Sequence, residues 1–400
     1  MDVRSLGSRV DHDAALRRRQ RLQPVGGPGD KIFPPTYPGE GQNAPPRHVF
    51  ERRRIDGADV WCALVDSVQS QANRLEESLL ALMRDEHVFI PHVAVDFQGQ
   101  GLLGISQITS LDAPHRVYDA ILRDSELDGK PFMQSDIGRS LTQARPEDAT
   151  AILQVSPTAL LFGSWHSTGT GGGLGAKFAR CLVSEISAIN VPLDEDSRTG
   201  ELRTAARRTG SRIDPLGVLR KVEVFRGDAG WALSPEAAGK DAKKVRPSEI
   251  NHGNIAPTVQ ALGITCDYLE HTLVLSFAAL RRLRFGSDER SRAARTLLAA
   301  LGLLAMAEQD ARGYALRSRC DLVCDGQAPL ELVHPDGSVE ELALDRSEAL
   351  ALYGEALDTA RQQGFEFSEA IHLVPQNKLV QLVQRSQQFA LSGEGEEGQG

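Results

Sequence analysis

Rings are scarce in this chain: Trp, Tyr and Phe together make up 5% of its 400 residues, and only 3 are tryptophan. A protein that holds a single strand by continuous base stacking needs a row of rings, so stacking is excluded as the main mode of any nucleic-acid contact. Thiols are scarce too. The 5 cysteines (Cys62, Cys181, Cys266, Cys320, Cys324) form no Cys-x-x-Cys pair, and an odd, scattered set in a long chain reads as reduced cytosolic thiols. Cys320 and Cys324 lack a second ligand pair at finger spacing, which argues against zinc. The longest apolar run, Leu297–Ala307, falls short of the ~20 residues that span a membrane. The start Met1-Asp2-Val3-Arg4-Ser5 has no apolar stretch of the secretory kind. The expectation is a cytoplasmic protein without membrane, metal or cofactor.

What is present is charge, unevenly placed. The chain carries 45 basic and 54 acidic residues, a balance of −9, which excludes a uniformly basic coat. Residues 1–54 nevertheless hold 11 Lys/Arg against 6 Asp/Glu, and residues 198–246 hold 12 against 6. Two basic segments in an acidic chain predict a face that meets a polyanion, the plain alternative being surface charge on long loops. The tail 392–400, with Glu394, Glu396 and Glu397, reads as solvated and disordered.

Hydrophobic spacing predicts interleaved strands and helices with long polar insertions, an α/β or α+β pattern. Strands are expected at Asp13–Leu22, His87–Phe97, Thr158–Trp165, Val218–Phe225, Ile264–Ser276 and Leu316–Cys324. Helices are expected at Cys62–Arg84, Pro114–Asp124, Glu289–Ala311, and from an Asp345 cap with Glu348 three residues on to Gly364. Leu330–Leu342 reads as a hairpin about Pro335-Asp336-Gly337, and Phe178–Val191 fits either a strand or a helical turn. The Gly/Pro-dense stretch 25–46 and the polar stretches 194–210 and 237–254 read as excursions from one core.

Three constellations carry chemistry. The first is Ser164-Trp165-His166-Ser167-Thr168-Gly169-Thr170-Gly171-Gly172-Gly173-Leu174-Gly175-Ala176-Lys177. Glycines let backbone N–H groups approach an anion, and Lys177 and Arg180 add charge. It is not a Walker loop, because Phe178 stands where Ser or Thr is required. Gly171, Gly173 and Ala176 fit a dinucleotide pattern, but no clean βαβ unit follows; a structural tight turn also fits, and phosphate contact is preferred. The second is the arginines: Arg17, Arg18, Arg19 and Arg21, followed by Gln23, then Arg203, Arg207, Arg208 and Arg212, whose guanidinium forks match phosphate oxygens. The third is a pair of loop histidines, His166 and His252, which could act as acid and base in metal-independent RNA cleavage or simply form hydrogen bonds.

The strings Leu161 to Gly169, Gly172 to Ile186, Ser211-Arg212-Ile213-Asp214-Pro215-Leu216-Gly217, Pro247 to Asn254 and Leu275 to Phe285 resemble one CRISPR-associated RAMP family. It is the Csb-one branch of the Cas-seven backbone subunits, from type I-U (also called I-G) effector complexes. The likeness runs over about residues 10–325. It implies an α+β fold, a modified RRM-like (ferredoxin-like) palm with long inserted finger and thumb loops. One RAMP-type domain over 1–391 is expected, the thumb coming from 194–210 or 237–254. It implies a non-catalytic subunit of an antiviral ribonucleoprotein. Several copies in a helical filament, with other effector subunits, would grip a guide crRNA and present it to target DNA. The RNA-contacting residues it points to are Arg17, Arg19, Arg21, Gln23, Trp165, His166, Gly172, Gly173, Lys177, Arg180, Arg212, Asn251, His252 and Asn254. An endoribonuclease using His166 and His252 is the alternative.

Overall fold

Leu16, Arg18, Gln20 and Leu22 alternate with Arg17, Arg19, Arg21 and Gln23, and this period of two builds strand β1, Ala15–Pro24, with the first set buried. The computed structural model describes residues 1–39, 46–86, 88–167, 175–195, 200–367 and 370–392; Gly172, Gly173 and the acidic tail from 393 lie outside them. A helix, α1, covers Val3–His12 ahead of β1.

The helix expected over Cys62–Arg84 begins later. Asp56 and Gly57 take φ of 48° and 82°, the two-residue turn that joins strands of native twist. They close a hairpin of β2, Phe50–Ile55, and β3, Ala58–Asp66, so Cys62 and Val65 are strand residues. Helix α2 runs over Val68–Glu86 and buries Ala72, Leu75, Leu79 and Leu82. The ambiguous segment 178–191 resolves as strand β4, Leu182–Ile189.

Strand β5, Tyr268–Ser276, leads through a short turn, Phe277–Arg281, into α3, Asp288–Arg312. Ser287 caps α3 and Gly313, at φ 82°, ends it. It is apolar on nearly every side because α1, α2 and α4 (Arg346–Gln362) all pack on it. The Asp345–Glu348 capping box opens α4 as its spacing predicts. The remaining strands are β6, Tyr314–Arg317, β7, Cys320–Cys324, β8, Leu330–Val333, and β9, Val339–Leu342. Arg319, at φ 60°, turns the single strand expected over 316–324 into the hairpin β6–β7.

These strands make one sheet in the order β6-β7-β1-β5-β4-β3-β2, with β8 on the other end of β1 and β9 beyond it. The succession β1-α2-β4-β5-α3-β7 sits inside it, its four strands in the spatial order fourth, first, third, second, all antiparallel. One face is covered by helices; the other carries Arg17, Arg19 and Arg21.

A second sheet has the order Gln107–Thr109, Val93–Asp96, Ile371–Pro375, Ser125–Leu127, Lys130–Pro131. Among the described residues of the expected strand 87–97, only Val93–Asp96 pairs as a strand; Pro91, just before it, has no N–H to offer a neighbour. Thr158–Leu161, expected as a strand, is a helical turn after Pro157. Its buried residues form an unbroken apolar run, which spacing alone cannot assign. Short strands also occur within both polar excursions. The fold is thus mixed α and β. Among the described residues no helix is long and apolar enough to cross a membrane.

Under the main sheet two apolar clusters are divided by a polar layer. His271 Nε2 lies 2.6 Å from Ser184 Oγ, and Nδ1 lies 3.1 Å from the Tyr314 hydroxyl. Tyr314 donates to Asp310 at 2.5 Å, and Asp310 also pairs with the inward-turned Arg18. Burial pushes His271 down to about 3, helped by Arg18. The folded ring therefore stays neutral where the unfolded one takes up a proton. Its contribution to stability is complete above the unfolded value near 6.5 and is lost as pH falls from there toward 3. Between pH 7 and pH 5 this amounts to about 2 kcal/mol. Urea titrations at the two pH values should show that loss in the native chain and its absence in His271→Gln; identical pH dependence in both would contradict it.

Candidate nucleic-acid interface

Three places hold the residues to which the sequence points. The first is the outer face of β1, where the two-residue period aligns Arg17, Arg19, Arg21 and Gln23. The sheet register brings carboxylates to the same face. Arg17 pairs with Glu331 at 2.5 Å and Arg19 with Glu270 at 2.8 Å. Nearby, Arg53 of β2 pairs with Glu185 at 2.5 Å and with Glu51. Arg21 has no carboxylate among the described residues; its guanidinium lies 4.3 Å from the centre of the Tyr268 ring. This face is ionic but largely self-neutralised, and a polyanion would have to displace its carboxylates.

The second place is the stem of the glycine-rich loop. Ser164–Trp165 pairs with Lys177–Phe178, setting Trp165 opposite Lys177. Trp165 is 50% exposed, and the Lys177 ammonium lies 5.1 Å from the centre of its ring, a cation–π contact. Arg180 is exposed beside them. His166 behaves differently from its neighbours. Its N–H donates to the Ala176 carbonyl at 2.8 Å, and its ring is buried and stacked on Tyr118 with centroids 5.1 Å apart. Burial, and then Arg123, hold it below the usual histidine range. His166 Nδ1 has no partner among the described residues. A Cβ on Gly175 would lie 2.0 Å from the His166 carbonyl oxygen, so only glycine closes this stem.

The third place is an arm built from residues 208–260. Strands Arg208–Arg212 and Ile255–Gln260 pair as a stalk, with every residue of the second strand exposed. Beyond it lies a small sheet of Val224–Gly227, Gly230–Ala232 and Lys243–Val245. Asp214 staples the junction. Its carboxylate accepts from the N–H groups of Gly253 at 2.8 Å and Val218 at 3.2 Å, and its own N–H donates to Asn254 Oδ1 at 2.7 Å. Burial alone would raise the Asp214 carboxyl, but those N–H groups and Arg212 hold it below the usual value. Asn254 is thus engaged in the staple, Arg212 lies 3.8 Å from Asp214, and Asn251, at φ 58°, closes the turn Pro247–Ile250. The His252 ring meets Trp231 edge-on at 5.7 Å.

Trp231 itself is 52% exposed and was not among the expected contacts. Arg226 is the cross-strand partner of both Trp231 and Lys243, so the three share one face. The available signal was a tryptophan after Gly230 in a strand-like segment rich in Arg and Lys. Trp61 also stands beside a cation, Arg52 lying 4.8 Å from its ring centre. The two histidines are held on separate elements, His166 against Tyr118 and His252 against Trp231. Among the described residues no group of three His, Cys, Asp or Glu side chains is placed to hold a metal ion.

Residues 16–193, from β1 through the loop stem and β4, match the model of a family described as CRISPR-associated protein GSU0053. The match supports a CRISPR-associated protein; it includes β1 and the stem and ends before the arm. No curated protein matches the chain.

Proposed function

We propose, from that CRISPR-associated match, that the chain is a non-catalytic backbone subunit of a type I-U (I-G) effector complex and holds guide crRNA by its sugar–phosphate chain. The observation that carries the reading is the stem, within the matched span, where Trp165, Lys177 and Arg180 stand exposed at the mouth of a glycine-rich loop. The fourth-first-third-second strand order supports an RRM-like (ferredoxin-like) palm, and the arm 208–260 supports an inserted thumb.

A guide of variable sequence must be held without reference to its bases, because pairing with target DNA does the reading. Backbone amides, cations and occasional rings suit that task. Several copies along one guide, joined by other effector subunits, would present it for pairing. The self-neutralised outer face of β1 favours a grip by the stem and the arm over one by β1. Catalysis is not part of the proposal: each candidate histidine ring is engaged with an aromatic neighbour, and labelled repeat RNA should remain intact in the presence of the protein.

The test is purification together with the CRISPR transcript, followed by absorbance at 260 and 280 nm and sequencing of bound RNA. Bound RNA whose affinity falls steeply with salt is the expected result. Protein free of nucleic acid at low salt, with the transcript available, would remove the reading.

A further inference from the structure

An ion pair stands behind the glycine-loop stem. Glu76 of α2 is 1% exposed and Arg116 is 5% exposed. Arg116 Nε and Nη2 donate to the two Glu76 oxygens at 2.8 and 2.7 Å. The remaining nitrogen, Nη1, donates to the Gly163 carbonyl at 3.1 Å, and the guanidinium carbon lies 5.5 Å from the centre of the Phe162 ring. Arg116 holds this position at φ 55°, a left-handed backbone that is unfavourable for a non-glycine residue.

The same short turn grips the stem a second time. Tyr118, two residues on from Arg116, stacks on His166. Gly163 precedes the first stem strand and His166 follows it, so both ends of Ser164–Trp165 are held from one place. Gly163 takes φ 80°, and a Cβ there would lie 3.0 Å from the Arg180 backbone nitrogen, so the held glycine also abuts the chain two residues beyond the second stem strand. A buried ion pair is weak support for stability, because apolar residues of equal volume often serve as well. Stability alone is therefore a weak reason for this one. Its third hydrogen bond, to the stem, gives it a positional task.

We propose that Glu76 and Arg116 are positioning residues, a clamp that fixes the glycine-loop stem and so sets where Trp165, Lys177 and Arg180 face. The consequence for RNA rests on the reading given under Proposed function; the clamp itself does not. Burial pushes the Glu76 carboxyl up to about 7, and Arg116 pulls the other way.

The experiment uses the full chain with three variants: Glu76→Gln, Arg116→Lys, and the double replacement Glu76→Leu with Arg116→Met. Amide hydrogen exchange is followed by mass spectrometry, and guide RNA affinity is measured at fixed salt. The relevant reporters are the His166 amide, bonded to the Ala176 carbonyl, and the Cys181 amide, bonded to the Leu161 carbonyl at 2.9 Å. Each variant should speed exchange at these amides at least tenfold while the β1 and β5 peptides stay protected, and RNA affinity should fall by a similar factor. Lysine keeps a charge opposite Glu76 but cannot also reach Gly163, so its loosening isolates the carbonyl contact. The apolar double variant keeps the core filled and tests positioning apart from stability. Native exchange at the stem in the double variant, or acceleration spread evenly over the chain, overturns the clamp. A loosened stem with unchanged RNA affinity upholds the clamp and overturns the assignment of the stem to RNA.

Discussion

A chain carrying Lys177→Ala and Arg180→Ala is expected to bind guide RNA about thirtyfold more weakly than the native protein, taking each lost charged contact at about 1 kcal/mol. The plot of log affinity against log salt should flatten by about 1.4, because each phosphate neutralised on a single strand contributes roughly 0.7. Both side chains are exposed, and neither is paired with a carboxylate among the described residues. Their removal therefore leaves no buried charge behind, and melting should be unchanged. The contrast is β1. Arg17 and Arg19 are already matched by Glu331 and Glu270. Replacing this pair should alter affinity only severalfold, chiefly by freeing two carboxylates on that face. Filter binding across a salt series, with all three proteins, decides the matter. Equal losses from the stem and the β1 variants would mean that RNA displaces the β1 ion pairs and that the grip is spread over the sheet.

The largest effect on stability is expected at Asp66, which is fully buried at the end of β3. Its carboxylate accepts from Ser70 Oγ at 2.9 Å, Gln71 Nε2 at 2.7 Å, Arg74 Nε at 2.9 Å and Arg317 Nη2 at 3.0 Å. The two arginines tie it further. Arg74 donates to the Leu316 carbonyl and Arg317 to the Val65 carbonyl, so β3, the first turns of α2 and β6 meet on one group. Asp66→Ala strands two partly buried guanidiniums, and loss of one member of such a set costs about 3–5 kcal/mol. Asp66→Asn keeps the shape and one acceptor, and should lose about half as much. Urea midpoints followed by far-ultraviolet dichroism measure both. A shift under about 1 kcal/mol for the alanine variant would show that water reaches the site and that the hub is not closed.

The β1 strand was legible because Leu16, Gln20 and Leu22 alternate with three outward arginines. The Asp345–Glu348 box and the hairpin about Gly337 were legible because their signals lie within a few residues of each other. The β3–α2 boundary was not, since Val65 fits a helical stripe as well as a strand and only pairing with β2 and β4 decides between them. Site residues followed the same division. Exposure of Trp165 and proximity of Lys177 follow from a local hairpin. The neutralisation of Arg17 and Arg19 comes from β8 and β5, far along the chain, and no spacing announces it. The Glu76–Arg116 pair was missed for the same reason, because its members lie on α2 and in a turn 40 positions away.

Ile371–Pro375 lies inside the second sheet, parallel to Val93–Asp96 on one side and antiparallel to Ser125–Leu127 on the other. Those two neighbours leave the ribosome long before the strand that joins them. Until that strand emerges each keeps a row of unsatisfied backbone groups, ready to pair with any extended peptide nearby. The sheet closes only after Ile371–Pro375 has been made, about 240 residues beyond the second of them, an interval that chaperones have reason to guard.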